Sequence, residues 1–288
     1  MPKVSVVITN YNHEKYLNKR IDTVLAQTYP DYGVTIYDDC SKDNSREIIE
    51  KYREHPKVER IVYNDKNSGN LFKQWEKAIA EAKGEWIWIA QSDDYADPEL
   101  LDSLVKVAED NDNVGVAFCD SYWINEKDEE GPSLSIYHES FFRNGLAEIR
   151  ARLSKQCSVQ NASCAIIRRD MAVKYCKGIS DYRVCGDWIF YMRILQEANI
   201  AFLGRKLNYF RWYHSNVSNA AIDDGSWIKE GLDIFKNMDF KNIRFSFSEF
   251  SSIIKWWTAI IFKSGIKNKL NSYKIIFKAV FKFFAASV

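Results

Sequence analysis

The sequence predicts an α/β fold, a mostly parallel sheet flanked by helices, and three observations carry that expectation. Short apolar, β-branched runs alternate with helical periodicity between residues 4 and 118, the spacing of βαβ units. Two of those runs end abruptly in paired acids, Asp38-Asp39 and Asp93-Asp94, which a parallel sheet would place on one edge. Ligands of open α/β sheets bind outside the carboxyl ends of the strands. The 288 residues, 46% hydrophobic and 15% aromatic, suffice for one large domain with an appendage.

Taken in order, residues 4–9 form a β-branched strand. Asn10-Tyr11-Asn12 breaks it, with Asn12 as N-cap of a helix whose apolar face is Leu17, Ile21, Val24 and Leu25. Residues 34–37 are the second strand. Ser41, Asp43 and Asn44 then make a turn that can cap a helix over 45–53. A strand at 60–63, a loop at 64–70 and a helix over 72–82 lead to residues 86–90, an unbroken apolar run that reads as a central strand. Pro98 opens a helix over 99–109, and 114–118 is a further strand. Later, 163–167 reads as a strand, 170–175 as a short helix, and 189–195 as a helix with Asp187 near its N-terminus. Residues 207–213 form an aromatic strand running into a polar loop from His214.

The paired acids repel unless a cation lies between or above them, and a divalent ion carrying phosphates is one answer. Plain turn chemistry is the other. There is no glycine-rich turn after the first strand and no P-loop pattern, which argues against nicotinamide, flavin and P-loop chemistry. None of the six cysteines (Cys40, Cys119, Cys157, Cys164, Cys176, Cys185) has CxxC spacing, so a zinc site has no support. The acidic body and the lack of a readout motif speak against nucleic acid.

The net charge of +1 hides an asymmetry: residues 241–288 hold nine lysines and arginines against one acid, Glu249. There Ile266, Leu270, Tyr273, Phe277, Val280, Phe281 and Phe284 fall on one helical face, flanked by Lys267, Lys274, Lys278 and Lys282. Ile253, Ile254, Trp256, Trp257, Ile260 and Ile261 form a second aromatic-rich segment upstream. A basic amphipathic helix with aromatics reads as lying in a membrane interface. Packing on the body, or a dimer contact, is the alternative. With no signal peptide and no spanning apolar run of about 18 residues, the expectation is a cytoplasmic protein, peripheral on the inner face of the cell membrane through 250–288.

Several separated motifs resemble, in order, those of the family 2 glycosyltransferases of the GT-A type. They are Val4 to Asn12 followed by Tyr16-Leu17, Ile21, Val24-Leu25 and Gln27-Thr28-Tyr29, then Asp38-Asp39 with Ser41, Asp43 and Ser45, then Gly84-Glu85-Trp86-Ile87-Trp88-Ile89 before Asp93-Asp94. The resemblance covers residues 3–218 and implies a Rossmann-like GT-A domain over 1–222, with a helical tail at 223–288. Its nucleotide-sugar half would be 1–120 and its acceptor half 121–222. It further implies that Thr9 and Tyr11 line the nucleotide pocket and that Asp39 accepts a hydrogen bond from the base. Asp93 would touch the ribose, and Asp94 would coordinate Mn²⁺ or Mg²⁺ on the diphosphate. Gln91 departs from the pattern, standing where many members carry an acid.

Gly186-Asp187-Trp188 resembles the family's Glu-Asp motif, with Gly186 in place of Glu and Asp187 at the catalytic base; the residues alone also allow a helix cap. A base there would be held ionised by the helix dipole, at some loss of basicity. Residues 211–214 resemble the late Arg-x-x-His region. His214 would complete the metal shell, and Arg211 would pair with phosphate. Trp188 and Trp212 either stack on sugars or pack in the core. The activity implied is inverting, metal-dependent transfer from a nucleotide sugar, UDP-linked by preference, to a hydroxyl. The acceptor would be a glycan or lipid-linked saccharide in surface polysaccharide biosynthesis. A nucleotidyltransferase, and a degenerate nucleotide- or membrane-binding domain, are the competing readings; Gln91 and Gly186 favour the second.

Overall fold

The computed structural model describes residues 1–132, 135–213, 220–222, 224–265 and 269–286. The parallel half of the sheet follows the sequence closely. Strands β1 (Val4–Asn10), β2 (Tyr32–Asp38), β3 (Val58–Tyr63) and β4 (Trp86–Gln91) alternate with helices α1 (Glu14–Leu25), α2 (Ser45–Glu50) and α3 (Leu71–Glu81). Every residue of β1 is buried, and β4 is buried from Trp86 to Ala90, which is why both read as continuous apolar runs. Each such fully buried side chain contributes about 1.5–3 kcal/mol.

The second half departs from simple alternation. The sheet order is β3-β2-β1-β4-β8-β6-β9-β5, with β7 on β9. Strand β8 (Ala165–Arg168) enters antiparallel between β4 and β6 (Val114–Ile124). Strand β9 (Asn199–Arg211) runs parallel to β6 and carries two short antiparallel partners, β5 (Tyr95–Ala96) and β7 (Phe141–Arg143). The sheet is therefore parallel on its first side and mixed on its second. Helix α4 (Leu100–Glu109) precedes β6, α5 (Gly145–Glu148) follows β7, α6 (Arg169–Tyr175) follows β8, and α7 (Gly186–Ile194) precedes β9.

Asn12 is not the cap of α1. It sits in the left-handed region at φ 54° and takes the Lys42 N–H on its side-chain oxygen at 2.8 Å. The first turn of α1 is capped instead from the neighbouring loop, where Asp43 accepts the Glu14 N–H at 2.9 Å while Glu14 accepts that of Asn44 at 2.7 Å.

Among the helices that follow the sheet are α8 (Ser226–Lys236), α9 (Phe240–Ile243), α10 (Phe247–Lys263) and α11 (Lys269–Ala286). They are not a loose appendage, because one hydrophobic cluster runs from Val4 to Phe283. Trp257 of α10 is fully buried, stacked on Trp188 of α7 with ring centroids 6.3 Å apart and planes 8° apart. Helix α11 packs Ser272, Ile276, Ala279 and Phe283 inward. Of the stripe expected from periodicity, Leu270, Phe277, Phe281 and Phe284 stay exposed, while Tyr273 and Val280 are half-buried. Ile266 and Lys267 lie outside the described residues.

Candidate active site

Strands β1, β2 and β4 end together, and their last residues build one polar edge. Thr9 is buried there, and its hydroxyl finds no partner among the described residues; the side-chain oxygen of Asn10 beside it is also unpartnered. A buried polar atom left unmatched costs about 1–3 kcal/mol. Tyr11, next in line, is 40% exposed.

The acids on this edge are held firmly, and differently from what was expected. Asp38 accepts from the Asn10 amide at 2.8 Å and from the Ser41 hydroxyl at 2.6 Å, tying β1 to the β2–α2 turn. Asp39 accepts from Asn64 (2.7 Å), Asn67 (3.1 Å), the Ser68 N–H (2.9 Å) and hydroxyl (2.7 Å), and Gln74 (2.8 Å). Both its oxygens are thus engaged, so a base N–H would have to replace one of these donors. Asp39 organises the loop before α3.

Asp94, expected on the metal, is 1% exposed and turned into the protein. It accepts from Ser163 Oγ (2.6 Å), Asn161 Nδ2 (3.0 Å) and the Arg211 N–H (2.9 Å), with Arg20 Nη2 at 3.9 Å. Burial, added to the neighbouring Asp93 charge, pushes its carboxyl above the usual carboxylate range. Arg20 lies fully buried beneath the pair, its Nε on the Gln91 carbonyl at 2.7 Å, and burial draws its pKa down to about 10. Asp93 is the acid that stays partly open, touched by the Tyr213 hydroxyl at 3.3 Å. The two adjacent acids therefore have opposite postures, which a sequence motif cannot separate.

Arg211 is also committed elsewhere. Its guanidinium reaches the Asp93 carbonyl (2.8 Å), the Asn125 carbonyl (2.6 Å) and Asp128 (2.5 Å) and lies 4.2 Å from the Tyr16 ring centroid. Arg211 is 2% exposed and clamps the end of β9 beneath the acids. His214 lies outside the described residues, one position past Tyr213. Among the described residues no group of three or more metal-ligating side chains is assembled.

The other wall is built around Asp187. It is the second residue of α7, whose N-cap is Cys185, so the capping role falls elsewhere. Its Oδ1 accepts the Trp188 N–H at 2.7 Å. It borders a cavity of about 1110 Å³ together with Trp123, Trp188, Trp212, Trp227, Ile228 and Ile260. Burial pushes the Asp187 carboxyl up to about 7, against its backbone hydrogen bond from Trp188.

The missing Glu at 186 has a physical reason. A Cβ on Gly186 would lie 2.5 Å from Phe72 Cδ2 and 2.7 Å from the Ile179 carbonyl oxygen. A carboxylate comes instead from α8, where Glu230 accepts the backbone N–H groups of Arg183 (2.9 Å), Val184 (3.0 Å) and Cys185 (2.8 Å). Glu230 holds the segment before α7 and adds a negative charge that helps raise Asp187. Trp188 is 1% exposed and fixed from behind, its indole N–H on the Leu153 carbonyl at 2.8 Å; it and Trp212 both border the cavity. Sequence reading missed Glu230, Arg20, Asn161 and Ser163. Each acts across more than 40 residues, and only the buried charge of Arg20 inside an apolar helical face offered a local signal.

Comparison with known proteins agrees with this architecture. Residues 5–176 match Glycosyl transferase family 2. An uncharacterized glycosyltransferase of Nostoc sp. is 35% identical over 141 residues, 46% of this chain and 43% of that one. The poly(ribitol-phosphate) beta-N-acetylglucosaminyltransferase TarS of Staphylococcus aureus is 35% identical over 103 residues, 35% of this chain and 18% of that one. The chain thus matches less than half the length of these curated relatives. The crystal structure of TarS 1–349 in complex with UDP-GlcNAc shares the fold at a TM-score of 0.69 and 21% identity, over 99% of this chain and 81% of that one. The mannosyltransferase PcManGT from Pyrobaculum calidifontis, in complex with GDP-Man and Mn²⁺, does so at 0.58 and 15%, over 99% and 75%. Asp187 and Glu230 lie beyond the matched span, which holds the whole parallel half of the sheet and its acidic edge. With more than half of its length inside that match, the chain belongs to glycosyl transferase family 2.

Proposed function

We propose that the protein is an inverting glycosyltransferase that moves a sugar from a nucleoside diphosphate to a hydroxyl of a glycan or lipid-linked saccharide. The observation that carries this reading is Asp187, a carboxylate in the first turn of α7 at the wall of an aromatic cavity of about 1110 Å³, large enough for a saccharide, where burial raises its carboxyl to about 7. The complexes of the structural neighbours with UDP-GlcNAc and GDP-Man support a nucleotide-sugar donor, and the first favours uridine. The name of the Staphylococcus relative, a poly(ribitol-phosphate) beta-N-acetylglucosaminyltransferase, supports a polymeric acceptor.

Thr9, Asn10 and Tyr11 offer unmatched or exposed polar groups to the nucleotide, and the Asp39-held loop frames them. A divalent cation fits Asp93, since Mg²⁺-type sites use one or two carboxylates and complete their shell with phosphate and water. Asp94 does not fit that role, because its oxygens are turned to Ser163, Asn161 and Arg211. When bound, the cation would neutralise charge on the departing diphosphate. Asp187 takes the acceptor proton as the hydroxyl oxygen attacks the anomeric carbon. The bond from that carbon to the diphosphate breaks, its electron pair leaves with the nucleotide, and the configuration inverts.

The test is donor hydrolysis across a panel of nucleotide sugars, with and without Mn²⁺, for the wild type and Asp187→Asn. Metal-stimulated release of one nucleoside diphosphate, lost in Asp187→Asn while donor binding persists, is expected. If no donor is cleaved and none raises the melting temperature, the catalytic reading fails.

A further inference from the structure

The C-terminal helices leave one feature that the transfer reaction does not use. Phe262, Leu270, Phe277, Phe281 and Phe284 are between 53% and 75% exposed. On α11 they recur at spacings of seven, four and three residues, which is one face of a helix. That face is not the one that packs, because Ser272, Ile276, Ala279 and Phe283 point into the protein. Phe277 and Phe281 touch edge to face, 4.9 Å between centroids, within that face. Contiguous exposed aromatics mark contact sites.

Charge selects the partner. Helix α11 carries lysines at 269, 274, 278 and 282 and no acid. Lys282 is spent on the Lys236 carbonyl at 3.0 Å, and Lys269 on the Phe262 carbonyl at 2.7 Å. Lys274 and Lys278 remain exposed, between the aromatics along the same face. Aromatic anchors interleaved with lysines suit the headgroup layer of an anionic bilayer, in which a helix lies flat. No described helix is long and apolar enough to cross a membrane.

The patch begins at the rim of the Asp187 cavity. Lys263, Ser264 and Gly265 line that cavity, Phe262 precedes them, and Lys269 fastens the start of α11 to Phe262. We infer that the Phe262–Leu270–Phe277–Phe281–Phe284 face, with Lys274 and Lys278, seats the protein on an anionic membrane surface with the acceptor cavity opening at that surface. The acceptor would then be an amphiphile held in the bilayer, its saccharide reaching in past Ser264 to Asp187. This deepens the proposed transfer reaction and rests on it only for the identity of the substrate.

The test uses the full chain and vesicles of phosphatidylglycerol and phosphatidylcholine, with pure phosphatidylcholine as control, read by co-sedimentation. Wild type should bind the anionic vesicles, more weakly as salt rises. Lys274→Gln with Lys278→Gln should weaken binding about thirty-fold, at about fivefold per lysine. Phe277→Ser with Phe281→Ser should weaken it more than tenfold with the melting temperature and donor hydrolysis in solution unchanged, because neither ring is buried. Ser264→Glu at the cavity rim should weaken it too. Unchanged vesicle binding in the two double variants overturns the inference. So does a wild-type dimer in light scattering that Phe277→Ser with Phe281→Ser dissociates, since a second copy would then cover the face. Normal binding by Ser264→Glu removes the cavity mouth from the surface. Vesicle binding without donor hydrolysis would refute the enzyme and leave the membrane contact standing.

Discussion

The molecule holds its working carboxylates in two opposite ways. On the sheet edge, proposed to bind the donor, Asp38, Asp39 and Asp94 are surrounded by hydrogen-bond donors, and Asp93 is left partly open. On the cavity wall, proposed to take the acceptor, Asp187 has a short backbone hydrogen bond from Trp188, apolar neighbours and a second carboxylate, Glu230, nearby. Donors stabilise the charged form of a carboxylate, while apolar burial and like charge destabilise it. Asp94 shares the burial and the like charge, and its carboxyl is raised as well, but three donors hold it in place where Asp187 has open apolar walls; on our proposal the sheet edge supplies fixed geometry for binding and Asp187 the acid–base group.

The largest effect expected from breaking this contrast is at Asp187. Asp187→Asn should lower transfer by about 10²–10⁴, the usual worth of a general base, while donor affinity stays within error. Equal loss of donor affinity would merge the two regions. Next comes Arg20, the buried cation beneath the donor-edge acids. Arg20→Met leaves Asp94 and Asp93 uncompensated and should destabilise the fold by about 3–5 kcal/mol in urea unfolding. A small shift would mean that Asp94 is carried by Ser163 and Asn161 alone.

Glu230 sharpens the comparison through pH. Since Asp187 must be ionised to act, kcat/KM should fall on the acid side of about pH 7. Glu230→Gln removes a negative charge, so this limb should move to lower pH; a limb that stays fixed would reduce Glu230 to a structural clasp. Stability has its own sign. The native pKa of Asp187 lies above the unfolded value, so the native state binds more protons between about pH 4 and 7, and stability drops as pH rises through that window. Asp187→Asn should flatten this slope. The smallest effect on turnover is at Asp39: Asp39→Asn turns an NH2 donor toward the donors of Asn64, Asn67, Ser68 and Gln74 and loosens the loop before α3, each lost charge-assisted hydrogen bond being worth about 1.5–3 kcal/mol. Donor KM should rise about tenfold with kcat nearly unchanged.

The parallel half was legible because its signals are local. Buried strands write themselves as apolar runs, and their ends as acids and turn residues within a few positions. The second half showed β8 and the end of β9 but hid the rest of its sheet. Periodicity reached only Phe118, yet β6 continues to Ile124, and β9 starts at Asn199, eight residues before its aromatic part. Asp187 could be found in the sequence, but its basicity could not, since the cavity walls come from residues 123 to 265. Nor could Asp93 and Asp94 be told apart, because Asn161 and Ser163 choose between them from 67 and 69 positions away.

The Trp188–Trp257 stack has a consequence for how this chain can be recombined. A Cβ on Gly231 would come within 2.7 Å of Trp257 Cη2 and 2.9 Å of Trp188 Cζ3, so α7, α8 and α10 fit only as a matched set. A chimera cut at the end of the family match, near residue 176, would inherit this set whole from one parent. A cut near residue 240 would split it and leave an indole-sized hole behind the base. Acceptor preference should therefore be transplantable as everything after α6, and hardly at all as the last two helices alone.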